Sequence, residues 1–495
     1  MREPTVSLKP PSAPASAEDR HAATLTGNMS VSSLMLTVLA FSAPIAAVAG
    51  FIPFTIMFGG PGAALIFVLV TASVLIFAVG YVTMTRWLPK PGSFYAFISA
   101  GLGKVPGLGA AFLAVAAYLL MLSGVFVFIG LTVTELVSSV NGPSTPWWPW
   151  AAIAWAIVST LCYFHIDLSA KILSVAMVLE VAIVMVFNIG VLVHGGGPEG
   201  FSARPFSPSA LADGDFGVAF LFAVMIFIGF EATALFRDEV RDPDRTVPRA
   251  TYGAVLFVGV LYIVSCYLLI TAYGSDAVHV ATEDPKGMFS NAIGNLVAPM
   301  FSQLTFAFIL TSELAAGIAV HNVVSRYIYN LGVDRALPAF VADVHPKHYS
   351  PARASTVVAV AVAVLLVPLG LGKPDGVGLD AQLFGLATVG VLTLMCLVSL
   401  AVIVWFARKG VRAVTNWFKC FVAPAVAMAV LVPTLALAVL HFDLVVGGAP
   451  GQNVGLLLIL AASAVIGAML ALYFRAYRPE IFAALGRADT GEADV

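Results

Sequence analysis

The chain has 495 residues, of which 60% are hydrophobic and only 11% charged, with a formal net charge of -2 and a mean hydropathy of +0.96. Soluble domains carry roughly a quarter charged residues, so a water-soluble globule is excluded. The net charge itself says nothing about nucleic acid, but the sequence shows no solvated basic patch and no nucleic-acid partner is expected.

The first 30 residues are polar and rich in Pro, Ala and Ser, with no early apolar core. They predict a disordered tail and not a secretory signal peptide. Twelve apolar stretches of membrane-spanning length follow, starting near residues 31, 61, 107, 148, 172, 216, 251, 300, 354, 379, 420 and 454. About 20 apolar residues cross a hydrocarbon core of about 30 Å. The stretch from Ile172 to Val193 has that length, with Glu180 as its only charged residue. The last residues, past about 475, are polar again and predict a second tail. Of the 25 Lys and Arg, 22 fall in the two tails and in alternate loops, leaving only Arg204, Lys286 and Lys373 for the other loops. Cytoplasmic loops collect positive charge, so this asymmetry predicts a multi-pass protein with both termini in the cytoplasm.

Cys162, Cys266, Cys396 and Cys420 lie in or beside apolar spans without metal-ligand spacing and read as small buried hydrophobes. Trp147, Trp148 and Trp150 open span four and read as an interfacial belt. There is no zinc-binding H-E-x-x-H, no serine elbow and no P-loop. No metal or cofactor is expected, and neither an enzyme nor an ATP-driven pump.

Two spans carry interruptions. Span one holds Ser42-Ala43-Pro44, then Ala49-Gly50 and Pro53. Pro44 cannot donate to the helical ladder, which predicts a break there. Five spans later, span six carries Phe227-Ile228-Gly229-Phe230-Glu231. Broken helices five spans apart are the mark of inverted repeats in secondary transporters, where freed backbone groups hold the substrate.

Three loop motifs make a resemblance specific. Gly229-Phe230-Glu231, with Glu239-Val240-Arg241-Asp242-Pro243-Asp244-Arg245-Thr246-Val247-Pro248-Arg249-Ala250, resembles the GFE…E-x-x-x-P-x-R-x-x-P-R-A pattern of the amino acid–polyamine–organocation (APC) transporters. Pro89-Lys90-Pro91-Gly92-Ser93-Phe94-Tyr95 is similar to that superfamily's P-x-x-G-G-x-Y segment, with Ser93 in place of the second glycine. Ser325-Arg326-Tyr327-Ile328-Tyr329 through Asp334-Arg335-Ala336-Leu337-Pro338 resembles its S-R-x-x-Y…D-x-x-L-P segment. The likeness covers about residues 31 to 475.

The resemblance implies an all-α polytopic membrane protein of LeuT type, a bacterial amino acid permease with twelve transmembrane helices. A core over 31–410 holds two inverted five-helix repeats, about 31–195 and 216–410. Spans eleven and twelve (411–475) are added, and tails occupy 1–30 and 476–495. It implies substrate contacts from Ser42, Ala43, Pro44, Ile45, Ala46 and Ala47 in span one, and from Phe227, Ile228, Gly229 and Phe230 in span six. Relatives carry Gly-Ser-Gly in span one where this chain has Ala46-Ala47-Val48, which moves the exact carboxylate contacts. At Met225 some relatives carry an aromatic gate; methionine makes a more adaptable lid, with Phe227 left to offer the aromatic face.

Glu135, Glu180, Glu231 and Glu313 fall in or at the edge of spans. An ionised side chain at the bilayer centre is costly, so such residues pair, protonate or face water. Glu135 reads as interfacial and Glu231 as a helper that fixes the broken helix. Three readings stay open for mid-span Glu180: carrier of a coupling proton, sodium ligand, or cap of a neighbouring polar group. In some proton-coupled relatives a lysine near this place occupies what would be a sodium site in sodium-coupled ones. Glu313 reads a basic group on the substrate or holds the proton. His321 lies eight residues on, about 80° around the helix, and reads as a local hydrogen-bonding group.

The expected function is a secondary active transporter of the cell (inner) membrane. It imports an amino acid, polyamine or related amine by alternating access, with protons, or alternatively sodium, as driver. The alternatives are an amino acid/polyamine exchanger and a membrane sensor that binds amino acids without transport.

Overall fold

A computed structural model describes residues 29–88, 93–139, 141–164, 166–345, 350–372, 374–410, 416–449 and 451–486. Most of the first predicted tail, the last nine residues of the second (487–495), Lys373, and the 89–92 part of the P-x-x-G-G-x-Y-like motif lie outside these residues. The described chain is helical. It contains no strand, only an isolated bridge between Met29 and Val240.

The helices run in order α1 (Val31–Phe41), α2 (Pro44–Ala46), α3 (Ile52–Gly59), α4 (Ala63–Trp87), α5 (Ser93–Leu102), α6 (Lys104–Ser139), α7 (Trp147–Phe164) and α8 (Ile166–Val193). Then come α9 (Phe216–Met225), α10 (Pro243–Tyr273), α11 (Ala277–Glu283), α12 (Met288–Leu296) and α13 (Pro299–Val333). The chain ends with α14 (Ala352–Gly372), α15 (Gly376–Lys409), α16 (Ala423–Leu440), α17 (Phe442–Val446), α18 (Leu457–Tyr477) and α19 (Pro479–Ala484). Among the described residues, nine helical runs are long and apolar enough to cross a membrane. One of them, Pro44–Trp87, has 44 residues, about 66 Å of helix at 1.5 Å per residue, and turns at Gly60–Gly62 between α3 and α4. The protein is therefore a multi-pass membrane protein.

Without water to exclude between helices in lipid, close backbone approach does much of the packing. The long helix α6 packs along α13, α15 and α18. Where α18 crosses it, a Cβ on Gly467 would fall 2.5 Å from the Leu108 carbonyl, so only glycine allows this approach. At the core, α1 lies against α8, α10 and α13. The described residues 478–486 are anchored to the core: Lys104 Nζ donates to the Phe482 and Ala483 carbonyls at 2.9 and 2.7 Å, and Gly486 N–H donates to Tyr95 and Asp334. These bonds satisfy orphan carbonyls at the end of α19.

Candidate substrate and coupling site

The helical run in span one stops after Phe41. Ala43 adopts φ 40°, ψ 66°, a left-handed conformation that L-residues other than glycine adopt at a cost of roughly 1–2 kcal/mol. Pro44 disfavours right-handed helical backbone in the residue before it, which ends the α1 ladder at this point. Pro44 then opens α2 at its first position, where no amide hydrogen is needed. A π-turn over Ala47–Phe51 follows, ahead of Pro53, which cannot supply the next i→i−4 bond.

The second break lies at Ile226–Gly229, between α9 and the 3-10 segment Phe230–Glu239. Glu231, fully buried at 0% exposure, holds it together. Its Oε2 accepts from the Gly229 amide at 2.8 Å, its Oε1 from the Tyr118 hydroxyl at 2.5 Å, and its backbone carbonyl from the Tyr81 hydroxyl at 2.5 Å. Gly229 also joins the two breaks: it sits at φ 122°, and a Cβ there would come 2.3 Å from Phe41 Cδ1 at the end of α1. Gly229→Ala is therefore expected to push Phe41 off its place and lower substrate affinity by about tenfold, or about 1.4 kcal/mol. Equilibrium binding on purified, monodisperse variant checks this; unchanged affinity would show that the breaks move independently.

Between the breaks lies a narrow cavity of about 60 Å³, lined by Ser42, Ala43, Ala46, Ala47, Ile228, Glu313 and a largely apolar remainder. Beyond Phe51, Met225 and Phe384, which line both spaces, a larger cavity of about 500 Å³ reaches Glu135, Lys286, Asp375 and Asp380. Of the ten backbone-site residues expected from sequence, Ser42, Ala43, Ala46, Ala47 and Ile228 face the narrow cavity. Pro44, Ile45, Phe227, Gly229 and Phe230 do not line it. Phe227 packs edge-on against Tyr262 and Phe230 edge-on against Phe77. With Phe41, the aromatic walls are Phe51 and Phe384, the latter two in T-shaped contact at 6.2 Å, a pairing that crosses from span one to α15 and leaves no periodic trace in sequence.

Glu180 lies on the other side of the first break, at 0% exposure among α1, α2 and α13. Ser312 Oγ donates to its Oε2 at 2.6 Å. The backbone amide of Ile45 faces the same carboxylate, but Oε1 makes no hydrogen bond of ordinary geometry among the described residues. Ile45 thus contributes through Glu180 instead of through the cavity. Tyr262, whose hydroxyl donates to the Ser42 carbonyl at 3.3 Å, completes the wall. Ser312 was not foreseen; a serine beside an intramembrane glutamate is too common in helices to stand out.

His321 is fully buried and pairs with Ser355 through Nε2 at 2.9 Å, away from the cavity. Glu135 sits at the mouth of the larger cavity, half-exposed and 3.4 Å from Lys286. Trp148 is exposed, as an interfacial residue would be, while Trp147 turns inward and Trp150 bonds Thr145.

The opposite, arginine-rich end carries a network of ion pairs and hydrogen bonds. Arg326 makes a two-pronged ion pair with Glu239, at 2.7 Å from Nε and 2.8 Å from Nη2, and stacks over Phe236 with its guanidinium 4.1 Å from the ring centre. Arg237 donates to the Thr85 carbonyl at 3.0 Å and to Asp244 at 2.7 Å. Met29 N–H donates to the Glu239 carbonyl, stitching the start of span one to the same loop. Arg326 and Glu239 belong to two different loop motifs, but their pairing could not be read from either.

Residues 35–481 match the sequence family described as Amino acid permease. The chain is 25% identical to the branched-chain amino acid permease BcaP of Bacillus subtilis (strain 168), over 74% of this chain and 78% of that protein. It is 23% identical to the low-affinity putrescine importer PlaP of Escherichia coli (strain K12), over 71% and 75%. It is also 27% identical to the chloroplastic cationic amino acid transporter 7 of Arabidopsis thaliana, over 70% and 60%.

Proposed function

The chain belongs to the amino acid permease family of the APC superfamily, and from that premise we propose that it imports an amino acid or related amine across the cell membrane by proton-coupled alternating access. The relatives named for branched-chain amino acids, putrescine and cationic amino acids support an amino acid or amine as cargo. The proposed topology is twelve crossings with both termini cytoplasmic. Repeats over about 31–195 and 216–410 form the 31–410 core, and 411–475 adds two helices. The paired breaks at Ser42–Ala43 and Ile226–Gly229, bridged by Phe41 and Gly229, support the inverted repeat.

The observation that carries the coupling reading is the position of Glu180. It is a fully buried carboxylate with one oxygen that no described residue hydrogen-bonds, touching the broken part of span one and Ser312 of α13. A charged carboxylate in such a place costs several kcal/mol, and a proton removes that cost. In the proposed cycle, the state open through the larger cavity carries the proton on Glu180, with the substrate at Ser42, Ala43, Ala46, Ala47 and Ile228. Movement of the broken helices then opens the arginine-rich end, water reaches Glu180, and the proton leaves to the inside with the substrate.

Uptake of labelled amino acids and diamines into proteoliposomes, with and without an inward proton gradient, tests this. Accumulation driven by the gradient is the expected result. Uptake only into preloaded vesicles would replace import by exchange, and binding without uptake would replace transport by sensing.

A further inference from the structure

The narrow cavity is built for an alkyl chain, with one exception. Its walls are Phe41, Met121, Val125, Phe384 and small aliphatic residues, and Glu313 is the one charged side chain among the described residues that line it. Glu313 is 5% exposed, and no hydrogen bond or ion pair engages it among the described residues. The other buried glutamates are held: Glu231 by Gly229 and Tyr118, Glu180 by Ser312, and Glu239 by Arg326. Lysine and arginine do not line the cavity with Glu313. Lys286, at the far mouth, lies 3.4 Å from Glu135.

A second carboxylate stands on the route in. Asp380 lines the larger cavity, and its Oδ1 is buried with no hydrogen-bond partner among the described residues. Glu313 lies within electrostatic reach of both Asp380 and Glu180. Ser312 and Glu313 are consecutive on α13, about 100° apart around the helix, so one helix presents a donor to Glu180 and an acceptor to the cavity.

We infer that Glu313 reads a positively charged group at the distal end of the substrate: a second ammonium carried on an unbranched methylene chain. The inference rests on the transporter reading and narrows its cargo to a cationic amino acid or diamine. The chain lies on the apolar walls, the near end meets the backbone groups of the two breaks, and the far ammonium supplies the counter-charge that the protein withholds from Glu313. Asp380 offers the same ammonium an earlier stop during entry. A pocket that supplies a partner for one polar group rejects an analogue lacking that group, because its own buried group is then left unpaired.

The test uses three compounds of similar length: lysine, norleucine, which lacks only the side-chain ammonium, and 1,5-diaminopentane. Substrate-driven counterflow into proteoliposomes is measured for the full-length protein and for Glu313→Gln. The expected result is a preference of about tenfold or more for the two cationic compounds over norleucine, and a loss of at least about tenfold for the cations in Glu313→Gln, with norleucine unchanged or improved. Norleucine taken up as well as lysine by the native protein overturns the inference while leaving the transporter reading intact. An equal fall for all three compounds in Glu313→Gln also overturns it. If nothing is taken up, thermal stabilisation of the purified protein decides. Stabilisation by lysine and diaminopentane but not norleucine supports the role of Glu313 and discards transport; equal or absent stabilisation discards the role.

Discussion

Glu180→Gln, reconstituted into liposomes, is expected to exchange substrate across the membrane but to lose all concentration of it by a proton gradient. Glutamine keeps the shape of the side chain and an acceptor for Ser312, whose hydroxyl lies 2.6 Å from Oε2 in the native protein. It cannot gain or lose a proton. One proton moving down a gradient of one pH unit releases about 1.4 kcal/mol, which sustains about tenfold accumulation of a cosubstrate at one-to-one coupling without a membrane potential. The native protein should approach that ratio and the variant should level at an internal concentration equal to the external one. Counterflow should persist in the variant, since Glu180 is absent from the lining of the narrow cavity and the substrate contacts remain. Gradient-driven accumulation by Glu180→Gln at the native ratio would remove Glu180 from the coupling step and return it to a structural role.

Arg326→Ala is expected to unlatch the arginine-rich end. The Arg326 and Glu239 side chains are only 3% and 9% exposed, and the pair is two-pronged. Removing one partner of such a buried pair costs about 3–5 kcal/mol, largely because the other charge is left without company. The cost falls on the closed state and is relieved when that end opens to water. A bias of about 3 kcal/mol shifts a two-state ratio by about 150-fold. The readout is a cysteine placed at Ala46, in the narrow cavity, and labelled by a membrane-impermeant maleimide. In the native background it should react from the side of the larger cavity, and in Arg326→Ala from the arginine-rich side. Arg326→Lys keeps the charge but not the fork, and should fall between the two. An unchanged labelling side in Arg326→Ala would show that the pair does not hold this end shut.

The membrane character, the helical class and the family were legible in the chain, because each rests on local signals. Runs of apolar residues about 20 long are set by the thickness of lipid, and loop charge asymmetry is set by insertion. The two broken helices were legible for the same reason: Pro44 and Gly229 act on the backbone at their own positions, and the structure finds φ 40° at Ala43 and φ 122° at Gly229. Glu180, Glu231 and Glu313 stood out because a carboxylate inside an apolar run is costly wherever the helix packs.

Tertiary structure alone decided what these residues do to one another. Sequence treats Ser42–Ala47 as one binding segment; packing splits it, turning Ser42, Ala43, Ala46 and Ala47 to the cavity and the Ile45 amide to Glu180. It places Phe227 against Tyr262 and builds the aromatic walls from Phe51 and Phe384, which are more than 300 residues apart. It also brings Glu239 and Arg326 into an ion pair and leaves Asp380 Oδ1 without a partner among the described residues. None of these pairings has a period or a spacing, because whether a buried charge is paired, held or left facing a cavity depends on which helix lies against it.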